Sequence, residues 1–261
     1  MKRDLEAVEY FHLQVARLLL AGPDKGAFAI KGGCNLRFFF ESPRFSEDID
    51  FDVSESVPVH VLKDRMTKVL GGPALTLALR NRGLQVVNVT APKQTETTQR
   101  WKMAIARDGA ALPRPTKVEF SRRDKDDASV TEVVSPSVLA QHQSMPVLAP
   151  HYSVGPALRQ KVRALADRRE VQARDVFDLG AVLIPKIGGQ AGHLQAPVAS
   201  LKAAMDRTLA LTYADYKGQV VSFLHPDHEE ELGSEAAWDA IQLQVVEYFD
   251  RALTRQRGPS R

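Results

Sequence analysis

The sequence has a single cysteine, few aromatic residues and no long apolar run. Because Cys34 is the only cysteine among 261 residues, an intramolecular disulfide and a metal site of clustered cysteines are excluded. The longest apolar runs, such as Leu18–Ala21, are far shorter than the roughly 20 residues that span a bilayer. The opening residues 1–6 include acidic side chains where an export signal needs an apolar core. We therefore expect a cytoplasmic protein without a membrane segment.

The chain also has little excess charge of either sign. Its 35 lysines and arginines against 32 aspartates and glutamates leave a net charge of +3, which is too small for a general polyanion binder. A nucleic-acid partner would have to bind a local patch, and aromatic residues, at 7% of the chain, offer few stacking platforms for bases. With 44% hydrophobic residues, the chain can bury one large core or two smaller ones.

Hydrophobic periodicity divides the chain into residues 1–150, with strands and helices, and residues 151–261, which are mostly helical. Strands are predicted at 27–30, 48–53, 101–106, 116–121 and 130–134. Helices are predicted at 5–21, 34–40, 59–70, 157–169, 175–184, 194–210, 214–223 and 235–255.

A hairpin and three irregular segments complete the expected organisation. The hairpin turns at residues 81–83, with residues 84–89 as one arm and, as the other, the alternating Leu75, Leu77 and Leu79. The irregular segments are a charged loop at 122–127, a loop rich in proline and histidine at 145–156 and a disordered tail at 255–261.

Alternating acidic residues on a predicted strand are the first candidate site. In the run 48–53, Asp48 and Asp50 point to one face while the apolar residues between them point into the core. Asp52 continues the acidic face but lies about 7 Å beyond Asp50 at roughly 3.3 Å per residue, so of the three acids it is the least suited to bind the same ions. Carboxylates that converge on one small volume can hold divalent metal ions against a triphosphate. An exposed sheet edge is the alternative reading of the same pattern.

Other residues can join this site. Glu119 alternates with apolar residues on another predicted strand, so it can supply a third metal-binding carboxylate or simply pair with a basic neighbour. Gly32 and Gly33 follow a strand and open a helix, where backbone N–H groups can approach phosphate oxygens. Arg44 and Ser46, just before the acidic strand, can also contact phosphates.

These motifs together resemble a known family. Residues 31–37 (KGGCNLR) and 42–51 (SPRFSEDIDF) look like the signature of the AbiEii/MenT nucleotidyltransferase toxins, in the DNA polymerase β-type superfamily. Residues 159–165 (RQKVRAL) with Arg168, and 173–179 (ARDVFDL), are similar to a second segment of that family. The motifs extend over about residues 28 to 180, and the first is rather specific.

The resemblance implies a fold and an activity. It implies an α+β fold, in which a nucleotidyltransferase-type mixed sheet flanked by helices precedes a mostly helical domain that contributes nucleotide- or acceptor-binding residues. It also implies Mg²⁺-dependent transfer of NMP from an NTP to an RNA acceptor, namely the 3′ end of tRNA. The protein would be the toxin of a toxin–antitoxin pair, with a cognate antitoxin protein and no membrane partner.

The resemblance also implies roles for individual residues. Asp48 and Asp50 would chelate Mg²⁺, Ser46 matches the family's serine, Lys161 its later lysine, and either Asp175 or Asp178 its aspartate. On a helix, Lys161 and Arg168 would share a face that could reach the phosphates. In two places the chain departs from the family or its superfamily: Cys34 stands where the family often has threonine, and Glu119 where the superfamily more often has aspartate.

Two other functions fit the same motifs. The acceptor could be an antibiotic or a protein hydroxyl, in a pocket near Tyr213, Tyr216 and Trp238. A catalytically inactive nucleotide-binding module is the second, and the intact pair of acids argues against it. The sequence leaves open which NTP is used and the oligomeric state.

Overall fold

Two compact units make up the computed structural model of the protein. The model describes residues 2–122, 129–189, 194 and 196–257. Unit 1 comprises Met1–Glu41 and Phe45–Tyr152, and unit 2 comprises Ser42–Arg44 and Ser153–Arg261. The expected α+β fold is confirmed, because unit 1 contains a mixed sheet with helices and the described part of unit 2 is mostly helical.

The sheet of unit 1 has seven strands in the order β3-β4-β5-β2-β1-β7-β6. The strands are β1 (Phe28–Lys31), β2 (Ile49–Val53), β3 (Leu84–Gln94), β4 (Thr98–Arg107), β5 (Arg114–Ser121), β6 (Ser129–Val133) and β7 (Leu148–Tyr152). Neighbouring strands are antiparallel except for two parallel pairs, β2 with β5 and β1 with β7. The parallel pairing of β2 with β5 aligns Asp50 with Glu119.

The α-helices in the described part of unit 1 are α1 (Lys2–Leu19), α2 (Gly32–Phe40), α3 (Val59–Gly71), α4 (Pro73–Arg80) and α5 (Pro136–Gln141). Helix α1 packs against β4, β5, α3 and α4. The apolar residues of β2, β4 and β5 are buried in the same hydrophobic cluster as α1, for example Phe51, Trp101 and Phe120. The alternate residues of these strands form the opposite side of the sheet, which we call the polar face, and it carries Lys31, Asp50, Asp52, Lys117 and Glu119.

The predicted first arm of the hairpin is wrong, because Leu75, Leu77 and Leu79 lie on helix α4. Leu75 and Leu79 are each 1% exposed, whereas Leu77 is 63% exposed. The spacing of four buries two leucines on one helical face, and Pro73 at the first helical position favours the helix start. The true hairpin joins β3 to β4.

Strand β7 was also missed, since residues 145–156 were predicted to be a loop. Ala149, Pro150, His151 and Tyr152 are all buried, so the strand shows no alternation of apolar and polar residues. Pro150 adds a further misleading signal because it cannot donate a backbone hydrogen bond to a neighbouring strand. Part of the same segment, from Val154, begins a helix.

The outer strand β3 is long and irregular. Its pairing with β4 shifts register between Val87 and Thr90 and again between Thr90 and Lys93. Asn88 has a positive φ of 55°, and Pro92 lies within the strand. Thr90 faces Lys102 and Lys93 faces Arg100, so these residues extend the polar face to the edge of the sheet.

Unit 2 is helical in the residues that the structure describes. Its helices are α6 (Val154–Asp167), α7 (Ala173–Phe177), a π-helical segment (Asp178–Leu183), α8 (Ile184–Lys186), α9 (Val198–Ala210), α10 (Tyr213–Gln219), α11 (Glu229–Leu232) and α12 (Glu235–Arg257). The π-helical segment contains Gly180, where an added Cβ would lie 2.8 Å from the side chain of Ile241. Close packing against α12 therefore requires glycine there.

Two further predictions fall partly outside the described residues. Most of the charged loop at 122–127 lies outside them, and so does the end of the tail, 258–261. The start of the predicted tail is wrong, because α12 continues to Arg257. Among the described residues, no helix combines the length and apolarity needed to cross a membrane.

The burial of α4 predicts different responses from two leucines. Leu79→Ala should lower the free energy of unfolding by about 3 kcal/mol, because it leaves a cavity in the core. Leu77→Ala should change it by less than about 0.5 kcal/mol. Chemical denaturation of both variants measures the difference. Equal losses would contradict the helix, since a strand would place both side chains on one face.

Candidate active site

Two acids lie together where strand β2 begins. Asp48 directly precedes the strand, and Asp50 lies between Lys31 of β1 and Glu119 of β5 in the sheet register. The side chains of Asp48 and Asp50 are 28% and 29% exposed, so both are accessible to a small ligand. The predicted alternation of residues 48–53 thus places both acids on the polar face.

A lysine that the sequence did not single out bridges the two acids. The Nζ atom of Lys117 lies 3.0 Å from Oδ2 of Asp48 and 3.9 Å from Oδ1 of Asp50. Its backbone N–H also donates to Oδ1 of Asp48 at 3.0 Å. A cation therefore already lies between the two carboxylates. The alternation of Lys117 with Val118 could have shown its face, but its neighbour depends on the β2–β5 register.

The electrostatics of Asp50 reflect this crowding. Burial raises its pKa, and the neighbouring carboxylates of Asp48 and Glu119 raise it further, whereas Lys117 and Lys31 lower it. The net effect is a pKa above the usual value for aspartate. A cation near these acids is therefore favourable.

The other two acids of the polar face are paired with cations. Glu119 accepts a hydrogen bond from Nε of Arg100 at 2.5 Å. Asp52 is bound to the ammonium of Lys31 and accepts a hydrogen bond from the Tyr152 hydroxyl at 2.7 Å. The proposed metal-binding role of Glu119 stays a prediction, and its basic neighbour is Arg100.

The donor set fits a divalent cation held by Asp48 and Asp50. Mg²⁺ is often bound through one or two carboxylates, with waters and substrate phosphates as the remaining ligands. Asp48 and Asp50 already hold one cationic atom between them. Among the residues that the structure describes, no three His, Cys, Asp or Glu side chains form a group that could hold a metal ion alone. Phosphate and water oxygens would therefore have to complete the coordination.

The glycine turn approaches Asp50 closely. Gly32 has a φ of 67°, and a Cβ atom at this position would lie 3.2 Å from Oδ2 of Asp50. Helix α2 begins at Gly32, so its N-terminal backbone lies beside this carboxylate. Glycine is required here both by the backbone angle and by the short distance. Gly33 follows inside the helix, and its contact with phosphate stays a prediction.

Ser46 and Cys34 both bind the backbone of the acidic segment. The Ser46 hydroxyl donates to the carbonyl oxygen of Asp48 at 2.8 Å, and the buried Cys34 thiol lies 3.2 Å from the same oxygen. A phosphate oxygen can only accept hydrogen bonds. Ser46 would therefore have to release Asp48 before it could donate to a phosphate.

The predicted basic residues of the second motif form a buried ion cluster in unit 2. Nζ of Lys161 lies 2.8 Å from Asp175 and 2.6 Å from Asp178. Arg44 donates two hydrogen bonds to Asp178, at 2.9 and 2.8 Å, and Arg168 lies 3.0 Å from Asp175. Both candidate aspartates therefore contact the lysine.

This cluster has three cations, Lys161, Arg44 and Arg168, against two carboxylates, and Arg168 is its most exposed member. Burial works to raise the pKa of Asp178, but Arg44 and Lys161 together lower it to about 2. The Lys161 side chain is 11% exposed and that of Arg168 is 40% exposed. The catalytic and nucleotide-binding roles of Arg44, Lys161 and Asp175 stay predictions.

Of the aromatic residues predicted to line an alternative pocket, Tyr216 and Trp238 lie in the core of unit 2, whereas Tyr213 is half-buried. Tyr216 and Trp238 are buried, and their rings stack with centroids 4.7 Å apart. The hydroxyls of Tyr213 and Tyr216 donate to the carbonyl oxygens of Gly233 and Leu232. These rings therefore fill the space between helices.

Comparison with known proteins gives one family and a shared fold. The family model described as nucleotidyl transferase AbiEii toxin, type IV TA system, matches residues 15–255. Three solved structures cover nearly the whole chain. JHP933 from Helicobacter pylori has 18% identity and a TM-score of 0.60, with 98% of this chain and 96% of that chain covered. A putative nucleotidyltransferase from H. pylori has 17% identity and a TM-score of 0.60, with coverage of 100% and 99%.

The third solved structure is MenT4, a nucleotidyltransferase toxin from Mycobacterium tuberculosis H37Rv. It has 16% identity and a TM-score of 0.63, and the match covers 98% of this chain and 87% of that chain. At these identities the structures support the fold alone. No curated protein sequence matches the chain significantly.

The contact between Gly32 and Asp50 predicts a paired experiment. Gly32→Ala and Gly109→Ala both place a Cβ at a positive φ, of 67° and 75°, which costs about 1 kcal/mol. Only Gly32→Ala also displaces Asp50, because nothing lies within 4 Å of the added Cβ at Gly109. Both variants should lose similar stability, but only Gly32→Ala should weaken Mn²⁺ binding in calorimetry. Unchanged Mn²⁺ binding in Gly32→Ala would contradict a metal at Asp50.

Proposed function

The chain belongs to the AbiEii family of nucleotidyl transferase toxins, and we propose that it transfers NMP from an NTP to the 3′ end of a tRNA through Asp48 and Asp50. Membership makes the protein a nucleotidyltransferase. The RNA acceptor, the metal and the individual residues are parts of the proposal. As a toxin of this family, it would act in the cytoplasm and be neutralised by a cognate antitoxin.

One observation carries the assignment of the site. Asp48 and Asp50 direct carboxylate oxygens towards one cation, the Lys117 ammonium, at 3.0 and 3.9 Å. Gly32 leaves the space beside Asp50 free of a side chain, and the first turn of α2 lies at that point. Anionic oxygens and helix N–H groups side by side suit a magnesium-bound phosphate.

The reaction exchanges one phosphorus–oxygen bond for another. The acceptor hydroxyl oxygen attacks the α-phosphorus, the bond from that phosphorus to the bridging oxygen breaks, and pyrophosphate leaves while the hydroxyl proton passes to water. Bound Mg²⁺ supplies Lewis-acid stabilisation of the negative charge. Asp48 and Asp50 hold the ion, and the backbone at Gly32 and Gly33 orients phosphate oxygens.

The basic residues can bind the triphosphate by exchanging partners. Lys161 now binds two aspartates, so a phosphate oxygen would replace one of them while the other holds the ammonium in place. We assign this holding role to Asp175, whose second oxygen is near the half-exposed Arg168. Arg44 and Ser46 would contact phosphates from the segment before Asp48.

Cations of the polar face support an RNA acceptor. Lys93, Arg100, Lys102 and Lys117 lie on strands β3 to β5 on the same side as the acids. Arg100 and Lys117 are paired with carboxylates, whereas Lys93 and Lys102 are exposed. A row of this kind suits the phosphates of a nucleic-acid backbone next to the reacting end. No comparable observation favours an antibiotic or protein acceptor, because Tyr216 and Trp238 are buried in the core.

Removing one acid should abolish transfer. Asp48→Asn and Asp50→Asn should each reduce transfer by at least about a hundredfold, since the reactants lose their alignment. The unfolding temperature should change little, because both side chains are partly exposed. The measurement is incubation with labelled NTPs, Mg²⁺ and total RNA. Asp64→Asn, on the exposed side of α3, is the matched control and should be fully active.

The position of the label separates the possible outcomes. Label on a tRNA-sized band that disappears when Asp48 is changed supports the proposal. Label on a small molecule or on a protein would show that this molecule, and not RNA, is the acceptor. The absence of Mg²⁺-dependent transfer by the wild-type protein would refute the function.

Charge reversal on the polar face should affect RNA selectively. Lys93→Glu combined with Lys102→Glu should raise the KM for RNA. The slope of log affinity for RNA against log salt concentration should become shallower by about 0.7 for each phosphate contact that is lost. The KM for the NTP should stay unchanged. Lys63→Glu with Lys68→Glu, on α3, makes the same charge change away from the polar face. Equal loss in both double variants would show a general charge effect and contradict a backbone-binding row.

A further inference from the structure

A chain of buried polar side chains lies directly beneath Asp48. It consists of His12 from α1, Cys34 from α2 and Thr116 from β5, which are 0%, 1% and 5% exposed. All three lie in or beside the apolar core of unit 1. Polar groups in such a place are expected to have specific partners.

Their partners are two successive backbone carbonyls. His12 Nε2 lies 2.7 Å from Thr116 Oγ1, and Thr116 Oγ1 donates to the carbonyl oxygen of Glu47 at 2.7 Å. Cys34 Sγ lies 3.2 Å from the carbonyl oxygen of Asp48 and 3.6 Å from His12 Nδ1. Three secondary-structure elements thus hold the two residues that precede β2.

The direction of each proton follows from these contacts. The Thr116 hydroxyl has one proton, which goes to Glu47, so its oxygen must accept from His12 Nε2–H. Burial lowers the pKa of His12 to about 4, so the ring is neutral and its Nδ1 has no proton. The unprotonated Nδ1 can only accept, so the single Cys34 thiol proton has two acceptors within reach, Nδ1 at 3.6 Å and the Asp48 carbonyl oxygen at 3.2 Å. The shorter contact is the one to the Asp48 carbonyl, which also accepts from the Ser46 hydroxyl at 2.8 Å.

Holding both carbonyls fixes the direction of one side chain. The carbonyl of Glu47 belongs to the peptide before the Asp48 Cα, and the carbonyl of Asp48 belongs to the peptide after it. Fixing both planes fixes φ and ψ of Asp48, and therefore the direction in which its Cα–Cβ bond points. The Lys117 backbone N–H then holds the carboxylate itself at 3.0 Å.

Core stability alone does not explain this arrangement. An apolar residue in place of His12 would fill the core without the cost of taking an imidazole out of water. The hydrogen bonds of His12, Cys34 and Thr116 instead orient the segment that carries Asp48. Building a reactive group on rigid, hydrogen-bonded support is a general requirement for precise alignment.

We propose that Thr116, oriented by His12, and Cys34 are positioning residues that aim the Asp48 carboxylate at the reacting phosphate. None of them touches substrate. The inference rests on the proposed function, because it assigns Asp48 to the metal. It adds that transfer depends on hydroxyl and thiol groups on the core side of the sheet.

The test replaces the Thr116 hydroxyl without changing side-chain volume. Thr116→Val should lower kcat between about tenfold and a hundredfold and weaken Mn²⁺ binding to the free protein, because the Asp48 carboxylate is no longer held in one orientation. Thr116→Ser keeps the hydroxyl and should restore both values to near those of the wild type. Transfer kinetics and calorimetric Mn²⁺ titration of the folded protein supply the two readouts.

Thr208→Val is the matched control. Thr208 is equally buried, in α9, and donates to the Ala204 carbonyl at 2.8 Å, so the same change removes a similar hydrogen bond far along the chain from Asp48. It should lower the unfolding temperature but leave kcat and Mn²⁺ affinity per folded molecule unchanged. Comparing Cys34→Ala, which removes the donor, with Cys34→Ser, which keeps one, applies the same test to the contact with the Asp48 carbonyl.

The outcomes separate this inference from the proposed function. If Thr116→Val loses activity only in proportion to its folded fraction, or if Thr116→Ser fails to restore it, the positioning role is overturned while an inactive Asp48→Asn still upholds the function. If Asp48→Asn transfers at the wild-type rate, the proposed function fails and the inference fails with it.

Discussion

Repulsion among the carboxylates of the polar face is the constraint on which unit 1 is built. A cation lies against each of these acids: Lys117 against Asp48 and Asp50, Arg100 against Glu119, and Lys31 against Asp52. Those cations come from three different strands, so the sheet must pair in one register for each acid to contact its cation. The pairing of β2 with β5 therefore does two things: it forms backbone hydrogen bonds, and it brings Lys117 to Asp48 and Asp50. A ligand that brings its own cation can replace this internal compensation without rebuilding the sheet.

Much of unit 1 could be predicted from periodicity, because β2, β4 and β5 alternate apolar residues with polar ones and α1 has apolar residues at helical spacing. Prediction from periodicity failed where the spacing of apolar residues fits both a strand and a helix, and where a buried segment follows neither spacing. Leu75, Leu77 and Leu79 alternate as a strand would, yet Leu75 and Leu79 are also one helical turn apart, and only packing against the rest of unit 1 decides between the two. Strand β7 is buried along most of its length and contains Pro150, so local sequence gave no strand signal.

The candidate site was predictable to the extent that its residues share one segment. Alternation places Asp48 and Asp50 on one face, and the glycine turn precedes them. Lys117 could not be assigned, because its position beside the acids depends on which strands become neighbours. Lys161 and Arg44 were expected to contact phosphates, but Lys161 is paired with Asp175 and Asp178, and Arg44 is paired with Asp178. Burial of an ion cluster is a tertiary property that helical spacing does not encode.

The outermost strand bears on how the protein behaves in a crowded solution. A long free strand is normally a template on which another chain can add, and such addition leads to aggregates. Strand β3 has two breaks in regular pairing, a left-handed residue at Asn88 and a proline at position 92. Because of these features, the edge lacks a straight row of hydrogen-bonding groups with which a strand of another chain could pair. The edge of the sheet formed by β3 can thus be exposed to solvent with less risk that a strand of another chain pairs with it.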